Sequence, residues 1–301
     1  MKTSFRRRET WAAFGFLSPW ILGFLIFMAG PMIASFVLSL TDYDALTATD
    51  YVGADNYREL LSDPKVRSSL ANTFVYTVMH VPATMAVSLA LAMVLVRVGR
   101  RASGFFRTVF YLPVVTPKVA VGVLFLLLFN GQTGLVNRGL GLVGIDGPDW
   151  TVDPTWVKPG LVVMSLWALG STVVIYLAAL HDVPTDLYEA AALDGATPWQ
   201  QFRRVTVPMI SGALFFTLIV NTIASLQTFD EVYTAFYGSA NQQTYSSDAA
   251  LFYLIYVFQQ AFQFLHMGYA SALAWLLFVL IVIVTIIQVR VSRRFVYYEG
   301  G

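Results

Sequence analysis

Long apolar runs alternate with short polar segments along the whole chain. A hydrocarbon core about 30 Å thick is crossed by about 20 residues of helix, and six stretches satisfy that length within 14–40, 73–96, 109–129, 160–180, 209–229 and 269–289. A seventh run, 249–265, is nearly as apolar. The pattern predicts an all-α polytopic membrane protein with six transmembrane helices. Its one long polar interruption, 185–208, reads as two short helices meeting at a glycine. Thr185 after Pro184 is placed to cap a helix from Asp186 to about Leu193, which Asp194-Gly195 then ends, since glycine accepts the left-handed conformation. Thr197, Pro198 and Gln200 form an N-cap, a first helical position and a capping box for the second helix, and Pro208 is expected to close it. The product is an elbow exposing alanines on one arm and Trp199, Phe202, Arg203 and Arg204 on the other.

Composition agrees with the pattern: 57% of the 301 residues are apolar and 12% charged, against about 25% charged in soluble domains. The net charge of +1 gives no reason to expect a nucleic-acid partner; where the charges lie matters more. Lys2, Arg6, Arg7, Arg8, Arg97, Arg100, Arg101, Arg107, Arg203, Arg204, Arg290, Arg293 and Arg294 fall on one side of the predicted spans, and only Arg58, Lys65, Arg67, Arg138 and Lys158 on the other. The positive-inside rule then puts both termini and the elbow in the cytoplasm. A seventh span would carry Arg290, Arg293 and Arg294 outside, so 249–265 is expected to be an external or interfacial helix. The N-terminal basic residues resemble a signal peptide, but the apolar run that follows is too long and is read as an uncleaved first span. With no cysteine, disulfide and thiolate chemistry are excluded.

Within the elbow, Glu189-Ala190-Ala191, three residues, Gly195, nine residues, Val205, one residue and Val207-Pro208 resemble the EAA loop of binding-protein-dependent ABC importer permeases, E-A-A, x3, G, x9, I-x-L-P, departing only by Val for Ile and Val for Leu. Flanking segments extend the similarity over nearly the whole chain, toward the carbohydrate-uptake branch typified by maltose and glycerol-phosphate permeases. They are Leu17-Ser18-Pro19-Trp20, Ser39-Leu40-Thr41-Asp42-Tyr43, Asn56-Tyr57, Asn72-Thr73, Phe229-Asp230, Ala261-Phe262 and Met267-Gly268-Tyr269. The departure is Ala235-Phe236-Tyr237-Gly238-Ser239-Ala240-Asn241, where such permeases usually have Thr-x-Gly-Gly-Pro. The resemblance implies a cytoplasmic N-terminus over 1–10, a first helix and external loop over 11–71, a five-helix transmembrane domain over 72–291 containing the coupling elbow 185–208, and a cytoplasmic tail over 292–301. It implies that Glu189, Ala190, Ala191, Gly195, Phe202, Arg203 and Pro208 couple the chain to an ATPase. It also implies a non-catalytic subunit in the cell membrane that forms a sugar's translocation path. Its partners would be membrane lipid, a second homologous permease, two cytoplasmic ATPase subunits and an extracytoplasmic solute-binding protein. ATP and Mg would be bound by the ATPases, and this chain would hold no cofactor.

Other constellations carry less. Gly139-Leu140-Gly141-Leu142-Val143-Gly144 matches G-x-G-x-x-G but lies in a predicted external loop, not between a strand and a helix, and no P-loop motif occurs. His181, Asp182, Asp186 and Glu189 straddle Pro184 and match no metal-ligand spacing, so no metal site is expected. His80 is expected to hydrogen-bond a carbonyl freed by Pro82. Lys118, about nine residues into the third span, either faces the bundle interior or extends to the cytoplasmic surface from a span that begins nearer Leu112. Asn221 and Gln227, with Ser171, Thr172 and Asn130, are neutral polar groups suited to a polyhydroxylated solute or to interhelical bonds. The alternative, an ion-driven secondary transporter, would normally need intramembrane carboxylates, and none falls inside the predicted spans. An intramembrane enzyme would need a nucleophile and base within the spans.

Overall fold

The computed structural model describes residues 2–44, 49–98, 100–238 and 248–293; Ser239, Ala240, Asn241 and Arg294 lie outside the described residues. The helices are α1 (Lys2–Phe24), α2 (Gly30–Leu38), α3 (Asp55–Ser62), α4 (Pro64–Arg97), α5 (Arg100–Tyr111), α6 (Lys118–Leu128), α7 (Leu135–Gly141), α8 (Val157–Ser165), α9 (Gly170–His181), α10 (Thr185–Leu193), α11 (Pro198–Gln201), α12 (Val207–Met209), α13 (Ser211–Leu226), α14 (Asp230–Phe236), α15 (Tyr253–Phe258) and α16 (Met267–Ser292). A hairpin of β1 (Thr41–Asp42) and β2 (Asp50–Tyr51) pairs antiparallel, Thr41 opposite Tyr51.

Among the described residues, Thr10–Leu38, Pro64–Arg97, Ser211–Phe236 and Met267–Ser292 are long and apolar enough to cross a membrane. Six spans are reached only by counting two bent pairs. Gly104–Val115 and Lys118–Leu128 meet at 95°, and Val157–Ala168 and Gly170–His181 at 57°. The first break has a chemical cause. Pro113 and Pro117 each lack an N–H, and Thr116, which precedes a proline, is extended (φ −71°, ψ 130°) as the proline ring demands. The second break runs through a tight turn at Leu166–Ala168. The fifth predicted span, 209–229, does not stop at Phe229: after a turn, α14 prolongs it to Phe236.

The chain divides into two compact units. One comprises 1–63 and 257–278. Its segment Thr10–Leu38 exposes nearly all its apolar side chains, as a lipid-facing helix must. A wide turn at Leu25–Ala29 precedes Pro31 and absorbs the missing donor there. Segments singled out by their family resemblance meet in this unit. Asn56 Nδ2 donates to the Ser39 and Thr41 carbonyls, both at 2.9 Å. The Gly268 amide donates to the Tyr43 carbonyl (2.9 Å), and the Tyr269 hydroxyl donates to Asp63 (2.8 Å).

The other unit comprises 64–256 and 279–301. Ala92 and Leu95 of α4 pack on Val173, Tyr176 and Leu177 of α9. Polar side chains inside this bundle pair off: Tyr176 with Thr217 (2.6 Å), Ser225 with Thr77 (3.1 Å) and Gln288 with Thr222 (2.9 Å). α6 lies hard against α14 at Gly122, where a Cβ would come within 2.6 Å of the Glu231 carbonyl. The run 249–265 is helical over 253–263. It starts with a turn at Asp248–Ala250, runs through α15, widens at Gln259–Gln263, and buries Leu251, Phe252, Tyr253, Ile255 and Tyr256. Asn72 Nδ2 fixes its start by donating to the carbonyls of Asp248 (2.7 Å) and Leu251 (3.0 Å), and the Tyr253 amide donates to Thr73 (2.9 Å).

Candidate functional site

Two places in the larger unit carry chemistry, and the first is the elbow. α10 ends on Gly195 at φ +75°. The Ala196 amide reaches back to the Ala191 carbonyl (2.9 Å) and the Gly195 amide to that of Ala192 (3.0 Å), the pair of bonds that closes a helix on a left-handed residue. Thr197 then starts α11 with a complete capping box: its amide donates to Gln200 Oε1 (2.7 Å), and the Gln200 amide donates to its hydroxyl (3.4 Å). Thr185 is not a cap. Helix begins at Thr185 itself, and its hydroxyl turns to Asp186 (3.5 Å). Pro208 does not end the second arm either. The backbone widens at Phe202–Thr206, Val207 donating to the Phe202 carbonyl, and this wide turn lets α12 run through Pro208 to Met209.

The elbow's surface is half as expected. Glu189, Ala190, Arg203, Arg204 and Trp199 are exposed and Leu193 is 90% exposed, whereas Phe202 is half-buried and stacked on Trp199, ring centroids 5.3 Å apart. One contact was not foreseen. The Tyr188 hydroxyl meets Thr206 at 3.0 Å, tying one arm to the other. His181 bonds through Nδ1 to the Leu177 carbonyl of its own helix (2.6 Å).

The second place is a cavity of about 300 Å³. Breaks in three spans converge on it: Pro113, Val114 and Thr116 from the first, Trp167, Ala168 and Leu169 from the second, and Thr228 from the turn before α14. Non-helical backbone at membrane depth is tolerated where it is buried in protein or lines a wet cavity, because its free amides and carbonyls need partners. α4 supplies Tyr76, His80 and Thr84. His80 stacks on Tyr76 (5.1 Å, 9°), and its Nδ1 has no hydrogen-bond partner. The expected bond to a carbonyl freed by Pro82 is therefore not made; stacking turns the ring toward the cavity instead.

Lys118, the first residue of α6, faces this space, its side chain 64% exposed. Its Nζ lies 4.0 Å from Glu231 Oε2, whose side chain is 16% exposed and whose Oε2 has no hydrogen bond. Glu231 corrects the expectation that the spans contain no carboxylate. It sits in the first turn of α14, inside Ser211–Phe236, a span that was expected to stop before the first acidic residue. Acidic residues are favoured in a helix's first turn, so Asp230-Glu231 was itself a signal that helix resumes. Asn221, Ser171 and Thr172 also line the cavity. Gln227 does not; it is exposed on the turn after α13. Asn130 accepts from the Gln132 and Thr133 amides in a local turn. A wider groove of about 440 Å³, between α13 and the end of α16, is lined mostly by apolar side chains such as Leu214, Phe215, Leu218 and Ile287.

Comparison with known proteins gives a consistent answer. Residues 66–297 match the family described as binding-protein-dependent transport system inner membrane component. The chain is 37% identical over 98% of its length to the probable ABC transporter permease protein YesP of Bacillus subtilis, covering 94% of that protein. It is 32% identical to the lactose transport system permease protein LacF of Rhizobium radiobacter, over 93% of each chain. Its fold resembles a chain in the crystal structure of a bacterial ABC transporter involved in the import of the acidic polysaccharide alginate, with a TM-score of 0.81 at 24% identity, covering 98% of this chain and 99% of the other.

Proposed function

The chain belongs to the binding-protein-dependent transport system inner membrane components, the permeases of ABC importers, and on that premise we propose that it carries a sugar or sugar derivative through the cavity between its broken helices. The observation behind this reading is the convergence of three backbone breaks on one polar space. A helix is broken in a membrane at a price in unsatisfied peptide groups, and the breaks persist where those groups face water or solute. His80, Asn221 and Lys118 offer the solute hydroxyls both donors and acceptors, and Trp167 offers a face for a sugar ring to lie against. Similarity to a lactose permease supports the same substrate class.

Both termini and the elbow lie in the cytoplasm in this reading, following the distribution of Lys and Arg. The elbow formed by Glu189, Ala190, Ala191, Gly195, Phe202, Arg203 and Pro208 docks on an ATPase subunit. The chain makes and breaks no bond itself. It pairs with a second permease, stands on two ATPases that bind ATP and Mg, and takes solute from an extracytoplasmic binding protein. The two ATPases shift it between inward-open and outward-open states only if nucleotide binding favours one of them, and the elbow carries that difference to the spans. Co-purification after mild solubilisation tests this: a stoichiometric ATPase is expected with the parental chain. A chain that moves sugar when purified alone would overturn the reading.

A further inference from the structure

We infer that the Lys118–Glu231 pair makes the cavity selective for uncharged sugars over sugars that carry a carboxylate. The inference rests on the reading of this cavity as part of the solute path. Lys118 faces the cavity with most of its side chain exposed, while Glu231 is largely covered and has an oxygen without a hydrogen bond. Each is the other's counter-charge at 4.0 Å, too long for a direct hydrogen bond, so both keep bonding capacity that nothing in the site uses. A neutral sugar fits this arrangement. Its hydroxyls donate to Glu231 and accept from Lys118, and the two charges go on balancing each other.

A uronate does not fit. Its carboxylate would take Lys118 for itself and leave Glu231 as a covered anion without compensation, next to a second anion. Glu231 is the covered member of the pair, and a covered carboxylate whose counter-ion is drawn away has lost both its water and its nearest positive charge. Thr84, 4% exposed, and His80 add unpaired polar atoms around the same space. Neither supplies a second fixed positive charge that could rescue an acidic ligand. The residues bordering the cavity include one cation, Lys118, and one carboxylate, Glu231.

The test uses the intact importer complex in lipid nanodiscs without its binding protein, so that selection by that protein does not enter. Binding of radiolabelled neutral disaccharides, maltose and lactose among them, is compared by equilibrium dialysis with that of counterparts whose C6 hydroxymethyl is oxidised to carboxylate. At pH 7 the parental complex is expected to bind at least one neutral probe, and its acid counterpart at least tenfold more weakly. Glu231→Gln leaves Lys118 unpaired and is expected to shrink that ratio tenfold or invert it. Parental binding of acid probes as tight as of neutral ones overturns the inference and leaves the cavity on the solute path. Binding of no probe of either kind, by a complex that still hydrolyses ATP, takes the cavity off the path and the inference with it. The parental comparison decides the matter even if the variant does not fold.

Discussion

In the elbow, the hydrogen bonds described above are made within a few turns of chain. The Gly195 closure and the Thr197 capping box are local, and the longest tie, Tyr188 to Thr206, spans 18 positions. The cavity has no such locality. Its walls come from α4, the break before α6, the break between α8 and α9, and the end of α13. A bond that holds two of those walls, Ser225 to Thr77, joins residues 148 positions apart. Much of the elbow is exposed, Glu189, Leu193, Trp199, Arg203 and Arg204 included; the cavity's polar groups are fixed by neighbours or left unpaired inside. One region is thus specified by stereochemistry and the other by assembly, and damage to the two should be separable.

The largest effect is expected from Gly195→Val. No atom lies within 4 Å of the position a Cβ would take, so the strain comes only from the +75° φ. That conformation costs a β-branched residue roughly 1–2 kcal/mol, often more. Relieving it re-aims one arm against the other. Solute transport should fall at least tenfold and ATPase association should weaken, while membrane insertion and thermal stability of the spans stay near parental. Parental transport with ATPase bound would show that the elbow is not the coupling element.

Gly122→Ala should do the reverse. Its new methyl would approach the Glu231 carbonyl at 2.6 Å and Thr234 Cβ at 2.9 Å, forcing α6 off α14 at an overpacking cost of about 1–3 kcal/mol. The thermal midpoint should drop and solute binding weaken, with ATPase still co-purifying. An unchanged midpoint would mean that the two helices are less tightly opposed than described. Lys118→Met is expected to lower transport several-fold without changing expression or ATPase association; equal rates would remove Lys118 from the solute path. Tyr188→Phe is the mildest. It deletes one hydroxyl contact, a loss on the order of 1 kcal/mol, so transport should fall about two- to fivefold with ATPase retained, and a larger loss would mean that the two arms depend on this one bond.

The same division explains what could be read from the residues alone. Gly195, Thr197 and Gln200 act on their neighbours, and their spacing was enough to foresee a left-handed closure and a capping box. Thr185 and Pro208 depart from their spacing for a local reason too: helix already holds at Thr185, and a wide turn accommodates Pro208. The apolar runs gave the spans, but not their breaks. A length of apolar chain fixes how far a helix can reach, whereas the 95° bend at Pro113 and Pro117 depends on how the two halves pack around the cavity that Pro113 and Thr116 line. Glu231 was hidden because an acidic residue ends an apolar window on any hydropathy scale. Only the packing of α14 on α6, permitted by Gly122, shows it to be inside. Gln227, chosen for its polarity, faces away from the cavity because helix geometry, not residue type, decides which side a group takes.

The hydroxyl contact between Tyr188 and Thr206 has a mechanical consequence. Two arms joined only through Gly195 would behave as a loose joint, and a push on the exposed tip would be dissipated as bending there. Bridged a second time, they form a closed triangle, a shape that resists shear. On the proposed reading, a displacement at Leu193 or Trp199 would arrive at α12 as torque on a stiff crank. Past Ile210 it would enter the long axle of α13, which ends at the turn just ahead of Glu231.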